Sequence, residues 1–224
     1  MTVSRKLPRP ARYAIFDLDG VLLDTEPLYT RATQQIVAPF GKIFDWSIKV
    51  DIIGRDARDG ALHVVEALGL PISPREYLAR REPLLRELFH QAEPRPGARE
   101  LVEALNARCV PMAVATSSEA ELCAIKVARH AWFGSFRAVV CGDDPRIEAL
   151  KPAPDIFLIA AQELAADPAD CVVFEDSPAG VEAARRAGMQ VVALPDAALS
   201  PARFSDADIV VTSFEELSVE QLGF

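Results

Sequence analysis

The sequence predicts an α/β protein: a parallel sheet with helices on both faces, split early in the chain by an inserted helical cap. Three observations predict it. Short apolar runs without polar alternation recur at 13–16, 111–116, 138–141, 171–174, 190–194 and 209–211, as expected of strands buried on both faces. From about residue 98 onward, segments of helix length separate these runs, which is the succession of a βαβ sheet. Between about residues 28 and 89 the strand pattern lapses and helical patterning replaces it.

Residues 1–12 are basic and Pro-rich with no apolar core of a signal peptide, and are expected to form a frayed tail. The core is assigned to 13–23 and 97–224, the cap to 24–96. The first strand, Tyr13-Ala14-Ile15-Phe16, stops abruptly at Asp17. In the cap, Ala61–Leu68 is a helix closed by Gly69, and Tyr77–Phe89 places Leu78, Leu84, Leu85 and Leu88 on another, with Pro71 and Pro74 between them. Phe44 and Trp46 are expected in the cap core, and His63 on a helix rather than on a metal. The cap borders fall near Leu23–Glu26 and Glu93–Gly97. Ala98–Ala107 then reads as a helix, Pro111–Thr116 as a strand, and Ser118 with Glu121 as a capping box opening a helix to about His130. Ala138–Cys141 is a strand and Pro154–Leu164 a helix. Cys171–Phe174 is a strand ending in Glu175-Asp176. Ser177-Pro178 opens a helix running to Gly188, with Pro at its first position. Gln190–Leu194 and Ile209–Val211 complete the sheet.

At 224 residues and half hydrophobic, the chain is long enough for one large domain or two small ones. A net charge of −9 argues against nucleic acid as a partner. It also means that any phosphate site must be locally positive. No apolar run is long enough to cross a bilayer, so no membrane partner is expected. Cys109, Cys123, Cys141 and Cys171 form no Cys-x-x-Cys pair and have no His at ligand spacing. They suggest a reducing, cytoplasmic setting. A monomer is expected.

In a parallel sheet, ligands sit beyond the carboxyl ends of the strands. The polar groups that fall there are Asp17 with Asp19, Thr116-Ser117-Ser118, Glu175-Asp176 and, on the loop after a strand, Lys151. Two carboxylates two residues apart repel each other when poorly solvated, and a bound cation relieves that cost. Mg²⁺ takes carboxylates together with water and phosphate oxygens. Asp17 is placed to attack phosphorus and carry an acyl phosphate. Asp19 is placed to protonate the leaving oxygen and then activate water. Thr116 or Ser117 can hydrogen-bond phosphoryl oxygens, Lys151 can neutralise them, and Glu175 and Asp176 can complete a Mg²⁺ site with Asp17. Taken singly, Thr116 and Ser117 also read as helix caps, Lys151 as a loop lysine, and Glu175-Asp176 as an acidic helix start. It is their joint occurrence at one end of one sheet that selects the catalytic reading.

The run Phe16-Asp17-Leu18-Asp19-Gly20-Val21-Leu22-Leu23-Asp24-Thr25-Glu26, with Thr116, Lys151 and Glu175-Asp176, resembles the four successive motifs of the haloacid dehalogenase superfamily. Pro96-Gly97-Ala98, Lys151-Pro152-Ala153-Pro154-Asp155-Ile156-Phe157 and Phe174 through Val181 resemble its phosphoglucomutase-like subgroup. Within that subgroup, Ala115–Ser118, Gly142–Pro145 and Ala187–Asp196 are most similar to pseudouridine-5′-phosphatases and related small-metabolite phosphatases. The likeness covers nearly all of residues 13–217. It implies a Rossmann-like core with a mobile helical cap, Mg²⁺ as cofactor and a small phosphorylated metabolite as substrate. It implies Asp17 as nucleophile and metal ligand, and Asp19 as acid/base that also offers Mg²⁺ its backbone carbonyl. Asp176 would be a direct ligand and Glu175 a direct or water-mediated one.

Gly54-Arg55-Asp56-Ala57-Arg58 stands where mutase relatives hold a second phosphate. Arg58 is the candidate contact and Arg55 the alternative; a surface charge pair of Asp56 or Asp59 with Arg58 is the competing reading. The expected function is a Mg²⁺-dependent phosphatase acting on a nucleoside or sugar phosphate through a phospho-aspartate. The alternatives are a sugar phosphomutase using the same intermediate and, further off, a metal-free 2-haloacid dehalogenase, a receiver domain or a non-catalytic binding protein.

Overall fold

The computed structural model describes residues 6–53, 57–196 and 199–224. In chain order, β1 (Tyr13–Phe16) and β2 (Leu23–Asp24) are followed by α1 (Glu26–Val37), α2 (Trp46–Lys49), α3 (Ala57–Leu68) and α4 (Pro74–Phe89). Then come β3 (Glu93–Pro94), α5 (Ala98–Ala107), β4 (Met112–Thr116), α6 (Ala120–Val127), β5 (Ala138–Cys141) and α7 (Asp155–Glu163). β6 (Cys171–Glu175), α8 (Pro178–Arg186), β7 (Gln190–Ala193) and β8 (Ile209–Val210) complete the chain. The contacts divide it into two compact units, Met1–Asp24 with Glu93–Phe224, and Thr25–Ala92.

The first unit holds a six-stranded sheet in the order β5-β4-β1-β6-β7-β8. Every neighbouring pair runs parallel. The α/β class with a parallel, Rossmann-like sheet is therefore observed. β1 is central because it carries nothing that needs water: Ala14, Ile15 and Phe16 are fully buried. The Phe16 ring stacks on Phe174 of the adjacent β6, with centroids 4.4 Å apart and planes 6° from parallel. From β1 the strand order runs one way through β4 and the other way through β6. This is the switch point at which such sheets open a crevice beyond their strand ends.

Two local features of this unit differ from the sequence expectation. The described part of the N-terminal segment is tied down rather than frayed. Leu7 and Ala11 donate backbone hydrogen bonds to Gln221 and Leu222, Arg12 donates to Asp170, and Arg9 N–H donates to the Gln190 side chain. In addition, α6 does not open with a Ser118 capping box. Its N-cap is Glu119, which makes no side-chain cap bond, and the Ala120 N–H is capped by Asp143 from the next loop at 2.9 Å. The helix ends at Val127, and a short 3₁₀ turn, Ala131–Ser135, follows. Ser118 is released for another role, described below. A two-residue antiparallel ladder, Leu23 with Pro94 and Asp24 with Glu93, has no counterpart in the sequence expectation, because two residues carry no period.

The second unit is helical. Its core gathers Ile36 and Val37 of α1, Phe44, Val64 and Val65 of α3, and Tyr77 of α4. The buried Tyr77 hydroxyl is satisfied by Thr33 Oγ1 at 2.8 Å. Ser73 caps α4 by accepting the Glu76 N–H, with Pro74 at the position where a missing N–H costs nothing. Gly69, after α3, has φ of +58°, a conformation that favours glycine at a helix stop. Phe44 is buried as expected, but Trp46 is 38% exposed, with the Lys49 ammonium 5.4 Å from its ring centroid. The indole therefore works at the surface of α2 and not in the core. His63 lies 3.5 Å from Asp51, a surface pair and not a ligand arrangement.

Candidate active site

The register of the sheet brings the candidate residues to one edge. Phe16 stands opposite Val114 on one side and Phe174 on the other. The next positions, Asp17, Ala115-Thr116 and Glu175, therefore emerge together at the strands' carboxyl ends. The Asp17 N–H continues the ladder by donating to the Phe174 carbonyl at 3.0 Å. The chain then turns sharply. Gly20 adopts φ of +76°, and hydrogen bonds between Leu18 and Leu23 and between Gly20 and Leu23 close the loop. A Cβ on Gly20 would lie 2.0 Å from Asp176 Oδ2, so the glycine lets that carboxylate come up against the Asp17–Gly20 loop.

Lys151 reaches in from the loop before α7 and is held at three points. Its Nζ donates to Asp17 Oδ1 at 2.5 Å, to Glu175 Oε1 at 2.7 Å and to the Ala115 carbonyl at 3.3 Å. An ammonium has three N–H donors, and all three are used. The Lys151 and Asp17 side chains are only 8% and 9% exposed, and Glu175 only 1%. Burial acts to lower the Lys151 pKa, but the Asp17 and Glu175 carboxylates outweigh it and hold the ammonium above its ordinary value. Burial pushes the Asp17 carboxyl up to about 7; Lys151 pulls it back, while Glu175 and Asp19 push it further up. Two carboxylates face one ammonium here, so one negative charge lacks a counter-charge, which favours a proton on Asp17.

Glu175 is anchored on its other oxygen as well. Its Oε2 accepts the Asp176 and Ser177 N–H groups, each at 2.9 Å, and the Ser177 hydroxyl at 3.0 Å. Ser177 in turn caps α8 by accepting the Gly180 N–H. A Cβ on Gly180 would sit 1.9 Å from the Glu175 carboxyl carbon, so the first turn of α8 is open on the side where this carboxylate lies.

The hydroxyl residues sit on the loop after β4. Thr116 is buried and its Oγ1 accepts the Ser118 N–H at 3.1 Å, whereas Ser117 is exposed. The backbone of this loop is pressed against Gly142, where a Cβ would come within 2.3 Å of the Ser117 carbonyl oxygen. The Gly142 N–H donates to the Ser118 carbonyl at 2.9 Å.

The Asp19 carboxylate is paired separately from that of Asp17. It has a lysine of its own. Lys126, on α6 and fully buried, donates to Asp19 Oδ1 at 2.6 Å and to Oδ2 at 2.7 Å. Ser118 Oγ donates to Asp19 Oδ2 at 2.8 Å and accepts from Lys126 at 2.7 Å. Sequence reasoning missed Lys126. Its signal is a single charge in the apolar stretch Leu122–Val127, three residues after the buried Cys123 and so on the same helix face.

The fit of the site to a divalent ion rests on its donors. The hard oxygen donors that could face such an ion are the Asp17 carboxylate and the Asp176 carboxylate, which lies against Gly20. Mg²⁺ needs only one or two carboxylates when water and phosphate oxygens fill its remaining positions. Among the described residues, no three His, Cys, Asp or Glu side chains gather as a metal cage. Both Glu175 oxygens accept hydrogen bonds from protein donors, Oε2 three of them and Oε1 that of Lys151. Arg58 is the second residue of α3 in the helical unit and is exposed. Arg55 lies outside the described residues.

Comparison with known proteins adds to this geometry. A family model described as haloacid dehalogenase-like hydrolase matches residues 11–188. A probable pseudouridine-5′-phosphatase of Drosophila melanogaster is 42% identical over 225 aligned positions, covering 99% of this chain and 97% of that protein. (DL)-glycerol-3-phosphatase 2 of Arabidopsis thaliana is 41% identical, covering 94% of this chain and 90% of that protein. Among solved structures, a HAD family hydrolase from Deinococcus radiodurans with bound phosphate and sodium is similar at a TM-score of 0.73. It is 28% identical, with 92% of this chain and 93% of that one covered.

Proposed function

The chain belongs to the haloacid dehalogenase-like hydrolases, and from that premise we propose that it is a Mg²⁺-dependent phosphatase of a small phosphorylated metabolite, working through a phospho-aspartate on Asp17. The class of substrate is that of a nucleoside, sugar or polyol phosphate. One observation carries the reading. A buried lysine, fixed at three points, is held against Asp17 at the open end of the central strand, while a second carboxylate, Asp19, stands two residues on with separate support.

The chemistry divides among the residues as follows. Asp17 attacks phosphorus; its Oδ–P bond forms as the bond from phosphorus to the leaving oxygen breaks. Asp19 delivers a proton to that oxygen, and the alcohol departs. Asp19 then takes a proton from water as the water oxygen attacks phosphorus and the Asp17–phosphorus bond breaks, returning a free carboxylate and inorganic phosphate. Lys151 offsets the charge gathered on the phosphoryl oxygens, and Thr116 and Ser117 supply hydroxyl donors to them. Glu175 orients Lys151. Asp17, the Asp19 carbonyl and Asp176 would hold Mg²⁺, with Glu175 close behind. When bound, the ion supplies positive charge for the phosphoryl oxygens and for the Asp17 carboxylate.

The test is phosphate release from p-nitrophenyl phosphate, pseudouridine 5′-phosphate and glycerol 3-phosphate. Release is expected to require Mg²⁺, to stop with chelator and to fall at least about 10³-fold in Asp17→Asn, as for loss of a nucleophile. Undiminished release by Asp17→Asn, or by the chelated enzyme, would contradict the proposal.

A further inference from the structure

We infer that Lys126 is a positioning residue for the proposed reaction: with Ser118 it fixes the plane of the Asp19 carboxylate for proton transfer to the leaving oxygen. The inference rests on the phosphatase reading and assigns a part to a residue outside the four motifs.

The observation is a closed triangle. Lys126 spends its three N–H donors on both Asp19 oxygens and on Ser118 Oγ, at 2.6, 2.7 and 2.7 Å. Ser118 then donates to Asp19 Oδ2 at 2.8 Å. A carboxylate bound by one cation through both oxygens and by a hydroxyl through one of them has no freedom to rotate about its Cβ–Cγ bond. Lys126 is 0% exposed, whereas the Asp19 side chain is 20% exposed. The lysine therefore stands on the protein side of the carboxylate, and Asp19 is the member of the triangle that meets solvent. A buried lysine is costly unless paired, and here the pairing falls on Asp19. The feature that gives way to it is the expected capping box: Ser118 leaves helix capping to Asp143 and turns to Asp19. Carboxylate orientation matters for proton transfer because the donor must meet the leaving oxygen within hydrogen-bond reach. Lys126 and Ser118 act only through Asp19, which alone exchanges a proton with the substrate.

This role has a signature that a merely structural residue lacks. The value of kcat/KM reports the steps up to transfer of the phosphoryl group to Asp17. An alkyl phosphate such as glycerol 3-phosphate needs its leaving oxygen protonated in that transfer. p-Nitrophenyl phosphate does not, because its leaving group is a stabilised phenolate. In Lys126→Met, kcat/KM should fall about 10²-fold on glycerol 3-phosphate and less than about 10-fold on p-nitrophenyl phosphate, within the usual worth of a positioned acid. The ratio between the two substrates does not depend on how much of the sample is folded. Asp19→Asn should change that ratio in the same direction, and Lys126→Met combined with Asp19→Asn should be no worse than Asp19→Asn alone. Should Lys126→Met fail to fold, Ser118→Ala should shift the ratio in the same direction by a smaller factor. Equal losses on both substrates, full additivity with Asp19→Asn, or an unchanged ratio in Ser118→Ala overturns the inference while leaving the phosphatase reading intact. A wild-type protein that releases phosphate from neither substrate overturns both.

Discussion

Asp17 is the residue whose environment makes the sharpest demand. Burial raises its carboxyl from 3.8 to about 7 even with Lys151 beside it, because Glu175 competes for the same ammonium. The folded-state value lies above the unfolded one, so Asp17 contributes to stability below about pH 4 and loses that contribution as pH rises through about 7. A divalent ion at the site reverses this, since it replaces the proton. Apparent Mg²⁺ affinity should therefore fall about tenfold per pH unit below about 7 and level off above it. Titrations that follow the Mg²⁺-induced rise in melting temperature at several pH values would measure this; an affinity flat from pH 5 to 8 would contradict it. At this scale the sequence named the carboxylates and the lysine that the structure brings together, because strand ends followed by Asp, Thr or Glu can be read from a string. Which lysine faces which carboxylate could not be read. Lys126 meets Asp19 across 107 residues, and no local pattern encodes a contact at that separation.

Among the elements, α8 shows how a helix start serves a site. Ser177 caps it, Pro178 occupies the position that needs no N–H, and the Glu175 carboxylate accepts N–H groups just ahead of the first turn. The cap and the proline were legible in Ser177-Pro178. The turning of one Glu175 oxygen onto the N–H groups ahead of α8 was not, because an acidic residue near a helix N-terminus is satisfied in other directions as well. Gly180 is the test of this arrangement. Alanine is preferred over glycine inside a helix by about 1 kcal/mol. Here its Cβ would fall 1.9 Å from the Glu175 carboxyl carbon, and displacing a buried carboxylate costs more than the propensity returns. Gly180→Ala should lower the melting temperature and reduce kcat at least about 10-fold. A more stable, fully active variant would show that Glu175 does not depend on this approach. Helix α6 teaches the complementary lesson. Its capping-box pattern is present in Ser118 and Glu121, but the pair of Asp19 with the buried Lys126 takes the serine, a tertiary demand that outweighs a local one.

For the molecule as a whole, the sheet order does the gathering. Residues from four separated segments reach one edge because β4 and β6 both flank β1, with parallel register throughout. The class of fold followed from unalternating apolar runs, which in a parallel sheet report burial on both faces. The helical unit was legible as helices but not in its surface details, as Trp46 shows, since an amphipathic pattern does not say which aromatic faces inward on a four-residue helix. The net charge of −9 sets the global field against an anionic substrate, so under the proposed function the local attraction would fall to Lys151 beside Asp17. In the proposed function all of this would serve one event, transfer of a phosphoryl group to Asp17. The direct measurement is rapid acid quenching of the enzyme during turnover of a radiolabelled phosphomonoester, followed by peptide mapping. The account predicts a hydroxylamine-labile label on the peptide carrying Asp17, formed before phosphate is released and absent from Asp17→Asn. Turnover at the full rate with no label on that peptide would contradict it.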